Sequence, residues 1–232
     1  MLAKQIASDV YEVPLDHVNA WLIDRDGLTL VDTGVSGSAD RILAAIRELG
    51  KQPSDVRHIL VTHAHPDHIG SLATLKRVTG ATVYAHPLDA PIIRSGTGFR
   101  QLAQAPGLIV GLMFRLFIKQ PFAAVEGTVV DVEVNDGDEL PIGGGLEVVH
   151  IPGHCKGQVA FLRVRNGGLL FAADACANMP RLGWSLGYED FEEGKRSLAK
   201  LSALTFDVAC VGHGKAIRQG AAGRFRQKWG SN

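Results

Sequence analysis

The sequence predicts an α/β fold in which two sheets pack face to face with helices outside. Three observations carry this. Short apolar runs give way to helical periodicity once in the first half of the chain and again in the second. A chain of 232 residues is long enough to bury a sizeable core. Its 46% hydrophobic content is ordinary for a globular protein. One domain is expected over residues 1–232, interrupted by an insertion at about 87–127.

In order, strands over Val18–Ile23 and Leu28–Val31 meet at Asp26-Gly27, a hairpin dipeptide. Ile42, Leu43, Ile46 and Leu49 then recur at helical spacing between a capping Ser38 and a terminating Gly50. A strand over Val56–Val61, a helix to Val78 with Gly80 behind it, and a strand over Thr82–Ala85 complete the first half. The second half starts near Val129 and includes a strand over Leu146–Ile151. A hairpin Ala160–Val164/Leu169–Ala172 turns at Asn166-Gly167, and a helix over Tyr188–Leu204 and a strand over Asp207–Val211 close the chain.

Between the halves, Leu108 to Ile118 is apolar apart from Arg115. It is too short to cross a bilayer, which takes about 20 residues. Three uses remain: a buried helix, a hydrophobic lid or a dimer contact. The lid is the preferred functional reading, since Met113, Phe114 and Phe117 suit an apolar acyl chain.

The most informative stretch is His63-Ala64-His65-Pro66-Asp67-His68, three imidazoles and a carboxylate within six residues. The apolar Ile59–Val61 before it and the helical spacing of Ile69 to Leu75 after it place it on a strand-to-helix loop, where several side chains can aim at one point. Singly, Asp67 reads as a helix cap and any one histidine as structural. Jointly those readings fail: crowded histidines repel when protonated and give the fold nothing that Ser or Asn would not. Neutral imidazoles and a carboxylate suit a borderline divalent cation such as zinc.

With this motif the chain resembles the metallo-β-lactamase-fold hydrolases, whose signature is H-x-H-x-D-H. Further matches follow in the family's order: Val31-Asp32-Thr33-Gly34, Pro152-Gly153-His154, Phe171-Ala172-Ala173-Asp174 and Val211-Gly212-His213-Gly214. The resemblance spans most of the chain and implies a four-layer αββα sandwich. It also implies two metal sites, with His63, His65 and His154 at one, Asp67, His68 and His213 at the other, and Asp174 bridging them. Each of these residues follows an apolar strand-like run and precedes a Gly or polar break, so all can converge on one sheet edge. Asp32 directly follows Leu28–Val31 and fits the role of orienting a ligand from behind.

The chemistry so implied is hydrolysis by a metal-bound hydroxide on two divalent ions, most simply Zn2+, with Fe or Mn as alternatives. Asp67 would accept the released proton. A carboxylic thioester, ester or lactone is the expected substrate class. True β-lactamases of the fold lack the bridging Asp, glyoxalase II carries a helical basic domain after its last His, and acyl-homoserine lactonases often place a Tyr soon after the bridging Asp. Here Ala175-Cys176-Ala177-Asn178 follows Asp174, so the lactonase clamp is missing unless Tyr188 substitutes. Alternatives are a persulfide dioxygenase using one iron, a phosphodiesterase or a β-lactamase. A closed structural metal site is disfavoured, because such sites hold four ligands that usually include Cys.

Net charge is zero, which gives no electrostatic case for nucleic acid or for anionic membranes, and a small-molecule substrate is expected. Cys155, Cys176 and Cys210 are an odd set without a C-x-x-C pair, and residues 1–6 lack an apolar signal core, so a cytoplasmic setting is expected, with a homodimer as one option. Cys176 reads as a packing residue, His17, His58 and His150 as structural, and His86 as a candidate for the pocket.

Overall fold

The computed structural model describes residues 1–165 and 167–230. The chain opens as an antiparallel meander, β1 (Lys4–Ala7), β2 (Val10–Leu15), β3 (Val18–Asp24) and β4 (Leu28–Val31). Asp26 and Gly27 have φ of 56° and 96°, the left-handed pair that a tight hairpin between right-twisted strands requires. Then come α1 (Ala39–Glu48), β5 (Val56–Leu60), α2 (Pro66–Ile69), α3 (Leu72–Thr79), β6 (Thr82–Ala85) and α4 (Ala90–Ser95). Ser38 precedes α1 in right-handed backbone and makes no side-chain cap, whereas Gly80 ends α3 at φ 71° as its sequence position predicts.

The middle of the chain holds β7 (Ala103–Gln104) and α5 (Leu108–Phe117). The second half is β8 (Val132–Glu133), β9 (Glu139–Leu140), β10 (Leu146–His150), β11 (Val159–Arg163), β12 (Leu169–Ala173), β13 (Cys176–Asn178), β14 (Leu182–Trp184), β15 (Gly187–Tyr188), α6 (Phe191–Ser202), β16 (Val208–Val211) and α7 (Ala221–Trp229). The β11–β12 hairpin forms, with Phe161 opposite Phe171 and Leu162 opposite Leu170; the Asn166 of its expected turn lies outside the described residues. The predicted helix from Tyr188 begins at Phe191 instead, because Gly187–Tyr188 pairs with Ala103–Gln104 and Asp190 caps the helix through the Glu193 amide.

One sheet has the order β1-β2-β3-β4-β5-β6-β8, the other β16-β12-β11-β10-β9. Trp21, Ile23 and Leu60 of the first meet Val148, Phe161 and Phe171 of the second in a core between the sheets. A second core lies under α1 and α3, where Ile42, Ile46 and Leu75 pack on Leu30 and Ile59. A third joins Leu162 and Leu170 to Leu198, Phe225 and Trp229 of α6 and α7. Helix, sheet, sheet, helix is the αββα sandwich, with apolar contact at each of its three interfaces. No helix among the described residues is long and apolar enough to cross a membrane.

Strands β4, β5 and β6 run parallel, as do β12 and β16. The segments leaving the carboxyl ends of β4, β5, β10, β12 and β16 carry Asp32, His63 to His68, His154, Asp174 and His213 respectively. One edge of the sandwich thus collects the seven expected ligands and Asp32.

Candidate metal centre

Local backbone at this edge is shaped for close approach. Pro66 opens α2 at its first position, which turns Asp67 and His68 back toward His63 and His65. Asp32 and Ala173 hold φ of 58° and 49°, a region that costs a non-glycine residue of order 1 kcal/mol. Gly212 has no room for a side chain, since a Cβ there would lie 2.0 Å from Asp174 Oδ1.

The ligand-type atoms of His63, His65 and His154 lie within 4.8 Å of one another, as do those of His63, His68 and Asp174, and those of Asp67, His68 and His213. The Asp174 carboxylate faces both ends of the cluster. Its Oδ2 is 3.6 Å from His154 Nε2 and 3.0 Å from His213 Nε2, and its Oδ1 is 3.5 Å from His68 Nε2.

Each of four rings is fixed from behind. His154 Nδ1 donates to the Gly187 carbonyl at 2.7 Å and His213 Nδ1 to the His17 carbonyl at 2.6 Å. His68 Nδ1 donates to Asp32 at 2.8 Å. His63 Nδ1 donates to the Thr62 hydroxyl at 3.0 Å, which in turn donates to the same Asp32 oxygen at 2.7 Å. All four Nε2 atoms are thereby turned inward, the orientation that outer hydrogen bonds impose on metal-binding imidazoles, and His154 Nε2 also lies 2.9 Å from His65 Nδ1.

Four of the inward-pointing atoms are left unsatisfied. His63 Nε2, His65 Nε2, His68 Nε2 and Asp174 Oδ1 are buried without a hydrogen-bond partner among the described residues. Burying unpaired polar atoms costs about 1–3 kcal/mol each, so the donor set fits divalent cations and poorly fits a closed core.

Electrostatics divides the cluster. Burial, with neighbouring imidazoles adding to it, pushes His63 well below its ordinary pKa and His65 down to about 3, and burial lowers His154 too. These three rings are neutral, the form that coordinates metal. Burial also opposes charge on His68 and His213, but carboxylates overcome it. Asp174, Asp67 and Asp32 hold His68 up at about 10, and Asp174 and Asp67 hold His213 well above the usual range. Burial raises Asp67 and Asp174, yet the His68 and His213 charges bring both below the ordinary carboxylate range. Carboxylates outnumber imidazoles at this end, and a divalent cation competes with protons for that charge.

Two residues near the cluster, Asp89 and Phe122, carried no signal of their own in the sequence. Asp89, just before α4, is buried; its carboxylate accepts from Ala64 N at 2.8 Å, from Cys155 Sγ at 3.4 Å and from Arg100 Nη1 at 2.7 Å. Phe122 sets its ring 5.3 Å from that of His65. Tyr188, the candidate substitute for a lactonase clamp, is buried with its hydroxyl committed: it donates to Ala175 O at 2.7 Å and accepts from Ser185 N at 3.0 Å. His86 stacks on His150 at 4.3 Å and accepts from the Leu88 amide, which removes it from the pocket. Cys176 is fully buried in the core under α6 and α7.

The model of the metallo-beta-lactamase superfamily matches residues 13–213, which takes in most of the first sheet, all of the second and every residue of the cluster. The chain belongs to the metallo-beta-lactamase superfamily. An uncharacterised Bacillus subtilis protein, YobT, is 31% identical over 223 residues, covering 90% of this chain and 88% of its own. A hydroxyacylglutathione hydrolase from Cereibacter sphaeroides is 27% identical over 220 residues, 87% of this chain and 67% of that one. Among solved structures, the subclass B3 metallo-beta-lactamase BJP-1 of Bradyrhizobium japonicum superposes with a TM-score of 0.73 at 24% identity, over 99% of this chain and 90% of its own. Members of this superfamily bind metal ions.

Proposed function

We propose that the chain is a single-domain metal-dependent hydrolase of carboxylic thioesters, esters or lactones, with His63, His65 and His154 holding one cation and Asp67, His68 and His213 a second. Asp174 lies between them, and zinc suits the His/Asp set best. One observation carries this reading: the Asp174 carboxylate stands within 3.6 Å of Nε2 atoms from both triads, and its own Oδ1 and the Nε2 atoms of His63, His65 and His68 are buried without a hydrogen-bond partner among the described residues. A bound cation pair supplies a low-pKa water and polarises the scissile carbonyl.

The chain's own residues do the rest. Asp32 and Thr62 keep the His63 and His68 rings aimed, so no rotation is needed when substrate arrives. Asp67 is the most exposed of the three carboxylates that face His68, at 28% of its side chain, and is ionised, which supports it as the group that would accept a proton. Phe122 shields His65 from bulk water and offers an apolar wall to an acyl group. Buried Tyr188 does not reach out to a substrate oxygen, which favours an acyl thioester or ester over a lactone that needs such a clamp. The hydroxyacylglutathione hydrolase relative, named for a thioester substrate, points the same way.

The test is metal analysis by plasma mass spectrometry together with single turnovers in labelled water on a thioester, a lactone, bis-p-nitrophenyl phosphate, a cephalosporin and glutathione persulfide. Two equivalents of zinc and one labelled oxygen in the product carboxylate, with a thioester or ester giving the highest kcat/KM, are expected. One iron with oxygen consumption, or preference for the phosphodiester or cephalosporin, overturns the reading.

A further inference from the structure

Helix α5 packs on the rest of the protein through Gly111 and Phe114, which lie against Gln104 and Gly187. Its remaining surface is apolar and uncovered. Leu108 is 95% exposed, Ile109 78%, Leu112 59%, Leu116 59%, Phe117 64% and Met113 37%. These six occupy two adjacent i, i+4 rows, so they form one continuous stripe over about half the circumference. No other element concentrates exposed apolar side chains in this way among the described residues. The buried core helix that the apolar run allowed is therefore not what forms. An uncovered stripe of this kind is a contact surface.

Charge identifies what it contacts. From Ala90 to Val125 the sequence has Arg94, Arg100, Arg115 and Lys119 and no Asp or Glu, in a chain whose net charge is zero. Arg94 pairs with Glu133 and Arg100 with Asp89, leaving Arg115 and Lys119 without an ion pair among the described residues. Both are exposed, and Arg115 borders the Leu108 edge of the stripe. Apolar side chains flanked by unpaired cations are the pattern of a helix lying in the plane of an anionic bilayer surface.

A second copy of the chain fits less well. A ten-residue helix is roughly 15 Å long, and its open face offers a few hundred Å2, against about 800 Å2 per partner in a stable interface. A two-fold pairing of the helices would also bring the unpaired cations together.

We propose that α5 docks this protein on anionic lipid bilayers, with the Leu108–Phe117 stripe in the headgroup region and Arg115 and Lys119 on lipid phosphates.

Co-sedimentation of the full chain with vesicles of phosphatidylcholine alone, and of phosphatidylcholine with roughly one-third phosphatidylglycerol, tests this. The protein is expected to pellet with the anionic vesicles and to be released by salt. Leu112→Glu/Leu116→Glu should abolish pelleting. Arg115→Ala/Lys119→Ala should weaken it about 25-fold, at about fivefold per cation. Both pairs are exposed, and an unchanged circular dichroism spectrum and melting temperature establish that the variants are folded. Absence of pelleting, or equal pelleting with both vesicle types, overturns the proposal. So does a dimer in light scattering that Leu112→Glu/Leu116→Glu dissolves, which would assign the stripe to a second copy.

Discussion

The Asp89 carboxylate accepts the backbone N–H of Ala64 at 2.8 Å, and Ala64 is the one residue between His63 and His65. The same carboxylate takes the thiol of Cys155, next to His154, and the guanidinium of Arg100 from the insertion. A single buried side chain therefore ties down both loops of one proposed metal triad.

Asp89→Ala is expected to lower metal affinity at that triad by about 10- to 100-fold while leaving all seven proposed ligands in place. Chelator competition on metal-loaded protein measures this. Asp89→Asn, which keeps one acceptor oxygen, should fall between wild type and Ala. Unchanged affinity in both variants would reduce Asp89 to a packing residue.

Asp32→Ala removes the acceptor that orients His68 directly and His63 through Thr62. Turnover and metal affinity should each drop about 10- to 100-fold. Asp174→Ala and His65→Ala should instead lower the metal bound per chain, which plasma mass spectrometry reads without any assay of activity.

Phe122→Ala should raise KM more for long-chain than for short-chain acyl thioesters, since its ring is the one placed beside His65. Phe117→Ala, on the open side of α5, should leave the chain-length profile unchanged. Equal shifts for all chain lengths in Phe122→Ala would mean that the ring only supports the loop.

Asp9 bridges Arg163 with Nη–Oδ distances of 2.8 and 2.9 Å. Burial alone would raise the Asp9 pKa, but Arg163 and Arg25 outweigh it and hold it below its ordinary value. A carboxylate depressed on folding adds stability above its unfolded pKa of about 4, and that stability is lost as pH falls through the lower folded value. Asp9→Ala leaves the buried Arg163 cation unpaired and should cost about 3 kcal/mol at neutral pH. The gap in melting temperature between variant and wild type should shrink in acid below about pH 4. A gap that stays constant down to pH 2 would show that the cost is packing.

Most of the scaffold was legible because its signals are local. Strand β4 occurs over Leu28–Val31, as read, and β6 over Thr82–Ala85, since both are apolar runs closed by turn or polar residues. Strands β1 and β2 carry little strand signal, because β1 has one large apolar residue, Ile6, and in β2 Glu12 and Pro14 break the apolar pattern. Helix α7 had a usable signal, Ala221, Ala222, Phe225 and Trp229 at helical spacing, that was passed over. In the candidate centre, the seven ligand-type residues could be read from short motifs, whereas what holds them could not. The His17 and Gly187 carbonyls are backbone groups of residues distant in sequence, and Asp89 and Phe122 acquire their roles only through long-range contact. Exposure of α5 was equally hidden, since an apolar run does not reveal whether anything packs over it.

Each triad draws two side chains from the loop after β5 and one from the opposite sheet, His154 in one case and His213 in the other. An ion held there is a clasp between the two halves of the polypeptide. Its binding free energy adds directly to their cohesion, and neither half alone can retain it tightly. Full affinity for such an ion requires both sheets to have met. Two fragments divided between the halves are expected to hold a metal tightly only when reassociated, which makes metal retention a readout of sandwich closure.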